Sequence, residues 1–311
     1  MAIFRSFWED FQYSLRTGNM VTKLVVINFT VFVAVNIAYV ALWIGHLGQD
    51  VTLVYWDAID YLCISANWRE VLWRPWTIFT NFFLHVEFWH FVNNMFGLYL
   101  FGTIVGDLVG DRRVLPVYLL GGLAGGAFFF ISANLSPTFG MNALGASAAV
   151  MALAGASVTM APEYRLPLLF LGEVKVKYIV LVFVLLDLVG IAGSSGNSGG
   201  HIAHLGGFLM GCLIVFRLRD GKDMAEPVNR VIDWIGSLFS SRSSGGNKQK
   251  RKQKTAIKAS MGTSAKGSNV TDSNDLSYQG KLDAILERIK EAGYENLTQE
   301  EKDFLYDASK K

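Results

Sequence analysis

Two side chains able to do acyl-transfer chemistry stand among small residues: Ser147, in Leu144-Gly-Ala-Ser-Ala-Ala-Val, and His204, in His201-Ile-Ala-His-Leu-Gly-Gly-Phe-Leu-Met-Gly. A hydroxyl is a weak nucleophile at its own pKa; a neutral imidazole that takes its proton, away from bulk water, makes it a strong one. His90 and Asn94, four residues apart, share one helical face. Their N–H groups, with backbone N–H groups near Ser147, are the kind that steady a developing oxyanion. Ala203, Gly207 and Gly211 form an i, i+4, i+8 ridge beside His204, and Gly145, Ala149 and Ala152 recur around Ser147. Small residues let helix backbones approach closely, so these two segments are expected to touch.

The elements that must position these groups are membrane spans. The chain has 311 residues, 51% of them hydrophobic and 17% charged, with a mean hydropathy of +0.32. That leaves too few polar groups to cover a water-soluble globule. Apolar runs lie at residues 24–44, 88–108, 114–133, 144–161, 176–192 and 201–218, which predicts six crossings and both ends on one side. The first run is too long for the apolar part of a cleavable signal, and an amphipathic stretch with Phe4, Phe7, Trp8, Phe11 and Leu15 precedes it. Loops on one side hold Arg5, Arg16, Lys23, Arg112, Arg113, Arg165, Lys175, Lys177, Arg217 and Arg219, against Arg69 and Arg74 on the other. Retention of basic residues on the inner side therefore predicts that both termini are cytoplasmic. Ser147 and His204 then lie about 5 Å inside the outer ends of two parallel helices, at ~1.5 Å per residue. With no targeting presequence evident, the expected location is a bacterial plasma membrane.

Taken together, these residues carry a family resemblance. The chain resembles the rhomboid intramembrane serine proteases: Gly145-Ala-Ser147-Ala fits the family's GxSx motif, His90-Phe-Val-Asn-Asn94 its HxxxN, and Ala203-His204-Leu-Gly-Gly207-Phe-Leu-Met-Gly211 its AHxxGxxxG. The resemblance implies a mostly helical fold: an all-α membrane protein with a six-transmembrane-helix rhomboid-like bundle over residues 24–219. It implies a Ser147/His204 dyad without an acidic third member, and an oxyanion site from Asn94, His90 and the Ser147 amide. It also implies hydrolysis of single-span membrane-protein substrates near the outer ends of their helices, without a cofactor, and an additional histidine at His85. The chain departs from the family at Ala148, where many members have Gly, and at Met151, where an aromatic ring often packs on the histidine. In Trp73-Arg-Pro-Trp76-Thr77 the family's Trp-Arg pair is either displaced to Trp73 and Arg74 or has lost its arginine at Thr77.

Other chemistries fit less well. His201 and His204, at i and i+3, invite a metal reading, but HExxH and a further ligand are missing from the sequence. An aspartyl intramembrane protease needs two facing acids, whereas Asp187 alone lies well inside a run; it reads as a paired structural group before a proton relay, and as a buried intraspan acid it stays a functional candidate by default. A transporter also uses polar intraspan residues, yet no repeat or charged pathway crosses both leaflets. A catalytically inactive rhomboid-like binding protein is the closer alternative. Cys63 and Cys212 give neither a disulfide framework nor a metal set. The net charge of +2 excludes nothing by itself, but 28 Lys and Arg balanced by 26 Asp and Glu argue against a highly basic nucleic-acid binder.

Four segments are expected: an amphipathic cytoplasmic stretch at 1–23, the core at 24–219, an interfacial helix and basic linker at 220–276, and a small helical hairpin at 277–311. The charge-free loop 193–200 reads as a mobile cap over the site, and a substrate helix is expected to enter beside the fifth span. Val228, Val231, Ile232, Ile235 and Leu238 recur at helical spacing for the membrane surface, and the basic residues from Arg242 to Lys258 suit anionic lipid headgroups. Thr298-Gln-Glu-Glu301 reads as a capping box within the hairpin, a candidate dock for a cytoplasmic partner.

Overall fold

Asn19 opens the first helix, α1 (Met20–Gly45), by accepting a hydrogen bond from the backbone N–H of Thr22. A long connection follows, with α2 (Thr52–Asp60), β1 (Ile64–Ser65), α3 (Trp68–Trp73) and α4 (Thr77–Thr80). Then come α5 (Phe88–Val109), α6 (Val114–Leu135), β2 (Asn142–Ala143) and α7 (Ser147–Met160). The hairpin β3 (Arg165–Leu168) and β4 (Gly172–Lys175) leads to α8 (Val176–Ala192), α9 (Ser198–Arg219) and α10 (Ala225–Ser240), with α11 (Gln299–Ala308) near the end. The computed structural model describes residues 18–168, 172–193, 197–240, 285, 289 and 297–308, and the chain divides into two units, Met1–Ser240 and Ser241–Lys311.

Each of the six apolar runs carries a helix, and the protein is a mostly helical membrane protein. Among the described residues, four helical segments are long and apolar enough to cross a bilayer: Met20–Gly45, Phe88–Val109, Asp111–Leu135 and Ser198–Arg219. The other two are shorter, 14 residues in α7 and 17 in α8. The all-α expectation needs one correction, because β1 pairs antiparallel with β2, and β3 with β4. Ile64 faces Ala143 and Ser65 faces Asn142, which ties the long connection to the chain just ahead of α7.

Helix α7 is the axis of the bundle, with every residue from Ala148 to Ser157 buried against α5, α6, α8 and α9. Its packing against α9 is backbone to backbone. A Cβ added at Gly207 would lie 2.0 Å from the Ala148 carbonyl oxygen, and one at Gly211 only 1.9 Å from that of Ala152. The expected small-residue ridge is therefore what allows the approach. Helices α1 and α8, by contrast, turn Ile37, Val40, Trp43, Leu188 and Val189 outward. Such wide apolar faces suit lipid, which takes the place of a protein neighbour.

Helix α10 covers the apolar stretch 228–238. Its Asp233 pairs with Arg112 at 2.7 Å and Asp223, just before it, with Arg113 at 2.8 Å, while Val231, Trp234 and Leu238 remain exposed. In the second unit, Glu301 Oε2 accepts from the Thr298 backbone N–H at 2.8 Å, and Thr298 Oγ1 accepts from the Glu301 N–H at 3.4 Å. That is the reciprocal capping box, and it opens α11. Residues 1–17, the whole basic stretch from Arg242 to Lys258 and most of the residues expected to form the hairpin's first helix lie outside the described residues.

Candidate active site

The site is built where the chain enters α7. Gly145 adopts a φ of 117°, which costs little only for glycine, and its N–H donates to the Asn81 carbonyl at 2.8 Å. The kink prevents α7 from starting at Leu144, so Ser147 is the first residue of the helix and does not lie a turn inside it as the apolar run suggested. A helix start leaves N–H groups without intrahelical partners beside Ser147, and these suit a developing negative charge. The Ala146 N–H is taken by His85 Nε2 at 3.3 Å. His85 is fully buried, and that burial, reinforced by the nearby His90, pushes its pKa down to about 3. It is therefore a neutral acceptor throughout the physiological range.

His90 packs on the same kink: a Cβ at Gly145 would lie 2.7 Å from His90 Cε1 and 3.8 Å from Ser147 Oγ. Asn94 donates through Nδ2 to the His90 carbonyl at 2.8 Å, which fixes its amide one turn along. His90, Asn94, Ser147 and His204 all line one cavity of about 610 Å³. All four residues singled out from the sequence thus meet in one place. Among the described residues no direct hydrogen bond joins Ser147 Oγ to His204; such contacts are commonly long before substrate binds.

The cavity lies between α5 and α8. Phe101 and Phe183, one from each helix, approach at 6.0 Å between ring centroids and line its deeper part, about three turns beyond His90. Met151, at the position where the family often carries a ring, lines the same cavity as His204. Thr77 is buried and donates to the Arg74 carbonyl at 2.8 Å, while the Arg74 guanidinium stacks 3.7 Å over the Tyr61 ring. Arg74 is thus engaged with an aromatic ring of the long connection, and Thr77 is held inside the packing. The expected cap is shorter than residues 193–200, because Ser198, Gly199 and Gly200 already belong to α9; residues 194–196 lie outside the described residues.

One contact was not anticipated. Asp187, buried on α8, accepts from His204 Nδ1 at 2.7 Å and from His201 Nδ1 at 2.8 Å through the same oxygen, Oδ1. The resemblance implied no acidic neighbour for His204, and the structure supplies one. The only advance signal was the cost of an intraspan acid, which demands a partner without naming it. The three ligand atoms lie within 4.8 Å of one another, close enough to consider a metal. However, ligands about 2.0–2.1 Å from a tetrahedral zinc stand roughly 3.3 Å apart, so these shorter spacings are those of hydrogen bonds.

With this geometry in place, the family can be stated. Residues 72–221 match the model of the Rhomboid domain family. Similar proteins include "RHOMBOID-like protein 12, mitochondrial" of Arabidopsis thaliana, 29% identical over 229 residues, covering 69% of this chain and 63% of that one. "Presenilin-associated rhomboid-like protein, mitochondrial" of Rattus norvegicus is 29% identical over 144 residues, 46% of this chain and 37% of its own. Its Danio rerio counterpart, "Presenilin-associated rhomboid-like protein A, mitochondrial", is 30% identical over 131 residues, 42% and 34% of the two chains. The chain belongs to the rhomboid family. It spans less than two thirds of the length of these relatives, and their mitochondrial names do not fit the bacterial plasma membrane expected from the sequence.

Proposed function

We propose that the protein is an intramembrane serine endopeptidase that cleaves peptide bonds in or near the transmembrane segments of other membrane proteins. The observation that carries this reading is the shared cavity of Ser147, His204, His90 and Asn94. Ser147 Oγ attacks the substrate carbonyl carbon as its proton passes to His204, and the carbonyl electron pair moves to oxygen. Asn94, His90 and the N–H groups at the start of α7 stabilise that oxygen. His204 then returns the proton to the departing amine as the C–N bond breaks. Water hydrolyses the acyl-enzyme by the same route in reverse, and no cofactor takes part.

The six helices form six crossings in this reading, with α7 and α8 short because the bundle shields their ends. The basic-residue distribution supports cytoplasmic termini. A single-span substrate enters between α5 and α8 and unwinds locally, since a helical peptide bond is shielded by its own turn. Lipids cover α1 and the exposed face of α10, and the 277–311 module docks a partner. A mitochondrial membrane, the setting in the relatives' names, is the alternative to a bacterial one, and fractionation of the native cells separates the two.

Purified protein with a fluorescent single-span substrate tests the activity. Cleavage by the wild type and its loss in Ser147→Ala support the reading; equal cleavage by Ser147→Ala refutes it. The second reading, an inactive rhomboid-like binder, draws on the missing Ser147–His204 hydrogen bond and requires binding of the span without any cleavage.

A further inference from the structure

We infer that Asp187 is the positioning residue for His204, setting which imidazole nitrogen acts as the base. The inference rests on the peptidase reading and deepens it. An ionised carboxylate only accepts hydrogen bonds, so the 2.7 Å contact to Oδ1 places the His204 proton on Nδ1. In a neutral imidazole the lone pair then sits on Nε2. Without the carboxylate, the ring is free to carry its proton on Nε2, where it cannot receive one from Ser147.

The arrangement explains how a buried acid persists in an apolar helix. Asp187 sits on α8 between Leu185, Leu188 and Val189, all exposed on the helix, and Leu186, which lines the cavity. Among the described residues it has no Lys or Arg ion pair; two imidazole N–H donors hold its oxygen. A buried charge is tolerated when its lone pairs are occupied, and His201 supplies the second donor. His201 is itself held against α8: a Cβ at Gly190 would lie 2.3 Å from its Nε2. The two rings meet edge to face at 81°, with centroids 5.7 Å apart. Asp187 and Ser147 line the same cavity as His204, so the carboxylate, the ring and the hydroxyl adjoin one space. Asp187 takes no proton in the reaction. The Ser147 proton moves to His204 Nε2, and the carboxylate stabilises the imidazolium so formed through its Nδ1–H.

The test uses the full chain in liposomes with the fluorescent single-span substrate. Asp187→Asn is expected to lower kcat about 100-fold or more, with KM within about twofold. Asp187→Glu should recover part of that loss, and His201→Gln should stay within about tenfold of the wild type. Histidine-selective 15N NMR, assigned with His204→Ala, should show His204 as the Nδ1–H tautomer in the wild type and not in Asp187→Asn. Retention of at least half the wild-type kcat by Asp187→Asn overturns the inference while Ser147→Ala remains inactive. Cleavage by Ser147→Ala removes the peptidase reading itself. An Nε2–H tautomer in the wild type also overturns the inference, and decides the matter if Asp187→Asn fails to insert. Equal losses in Asp187→Asn and His201→Gln, with stoichiometric zinc bound by the wild type alone, overturn it in favour of a metal site.

Discussion

The two sides of α7 are built on opposite principles. Towards α9, Gly207 and Gly211 bring the backbones together with no room for a single added carbon. Towards α5 and α8, the same helix borders a cavity of about 610 Å³. The closed seam fixes the relative height of Ser147 and His204, which come from different helices. The open side leaves space for a segment that is not part of the chain. Rigidity and access are thus divided between two faces of one short helix, and each can be perturbed without the other.

The largest effect should come from breaking the seam. Gly207→Ala puts a carbon 2.0 Å from the Ala148 carbonyl oxygen, so α7 and α9 must part. A loss of about 1–3 kcal/mol of stability is expected from such overpacking, together with most cleavage, because Ser147 and His204 move relative to each other. Thermal unfolding and cleavage measured on the same sample check this. Full activity with an unchanged melting temperature would mean that the seam is not what sets the site.

A smaller effect should come from the floor of the kink. His85→Gln alters the acceptor for the Ala146 N–H and is expected to cost about 1–3 kcal/mol if that group is left unsatisfied. The same residue predicts a pH dependence. Its folded pKa, about 3, lies below the ordinary histidine value of 6.5, so the unfolded chain binds the extra proton between those values. The stability it contributes is fully present above pH 6.5 and is lost progressively as the pH falls towards 3, by up to about 1.4 kcal/mol per unit. Melting temperatures of the wild type should therefore fall from pH 7 to pH 5 more steeply than those of His85→Gln. Parallel slopes would contradict the assignment. The smallest effect should come from removing residues 242–311, whose sequence carries no catalytic constellation: cleavage by a correctly inserted core should be unchanged, and its complete loss would show that the second unit takes part.

Short-range spacing made much of this legible from the sequence. His90 and Asn94, the ridge of Ala203, Gly207 and Gly211, and the Thr298–Glu301 box each depend on residues within a turn or two of one another, and the structure keeps them as read. The start of α7 was not legible. Residues 144–161 are mostly apolar, and the kink at Gly145 depends on a carbonyl at Asn81, a long-range partner. The Asp187–His204 contact was hidden for the same reason, since the two residues lie on different helices and no periodicity links them. The two β pairs were also missed, because two- and four-residue strands are too short to show alternation.

The central claim is that Ser147 is a nucleophile made reactive by His204. Labelling the liposome-inserted protein with a fluorophosphonate probe measures that reactivity without any choice of substrate. The account predicts labelling of the wild type and none of Ser147→Ala or His204→Ala. A correctly inserted wild type that takes no label, or a Ser147→Ala protein labelled as strongly as the wild type, would contradict it.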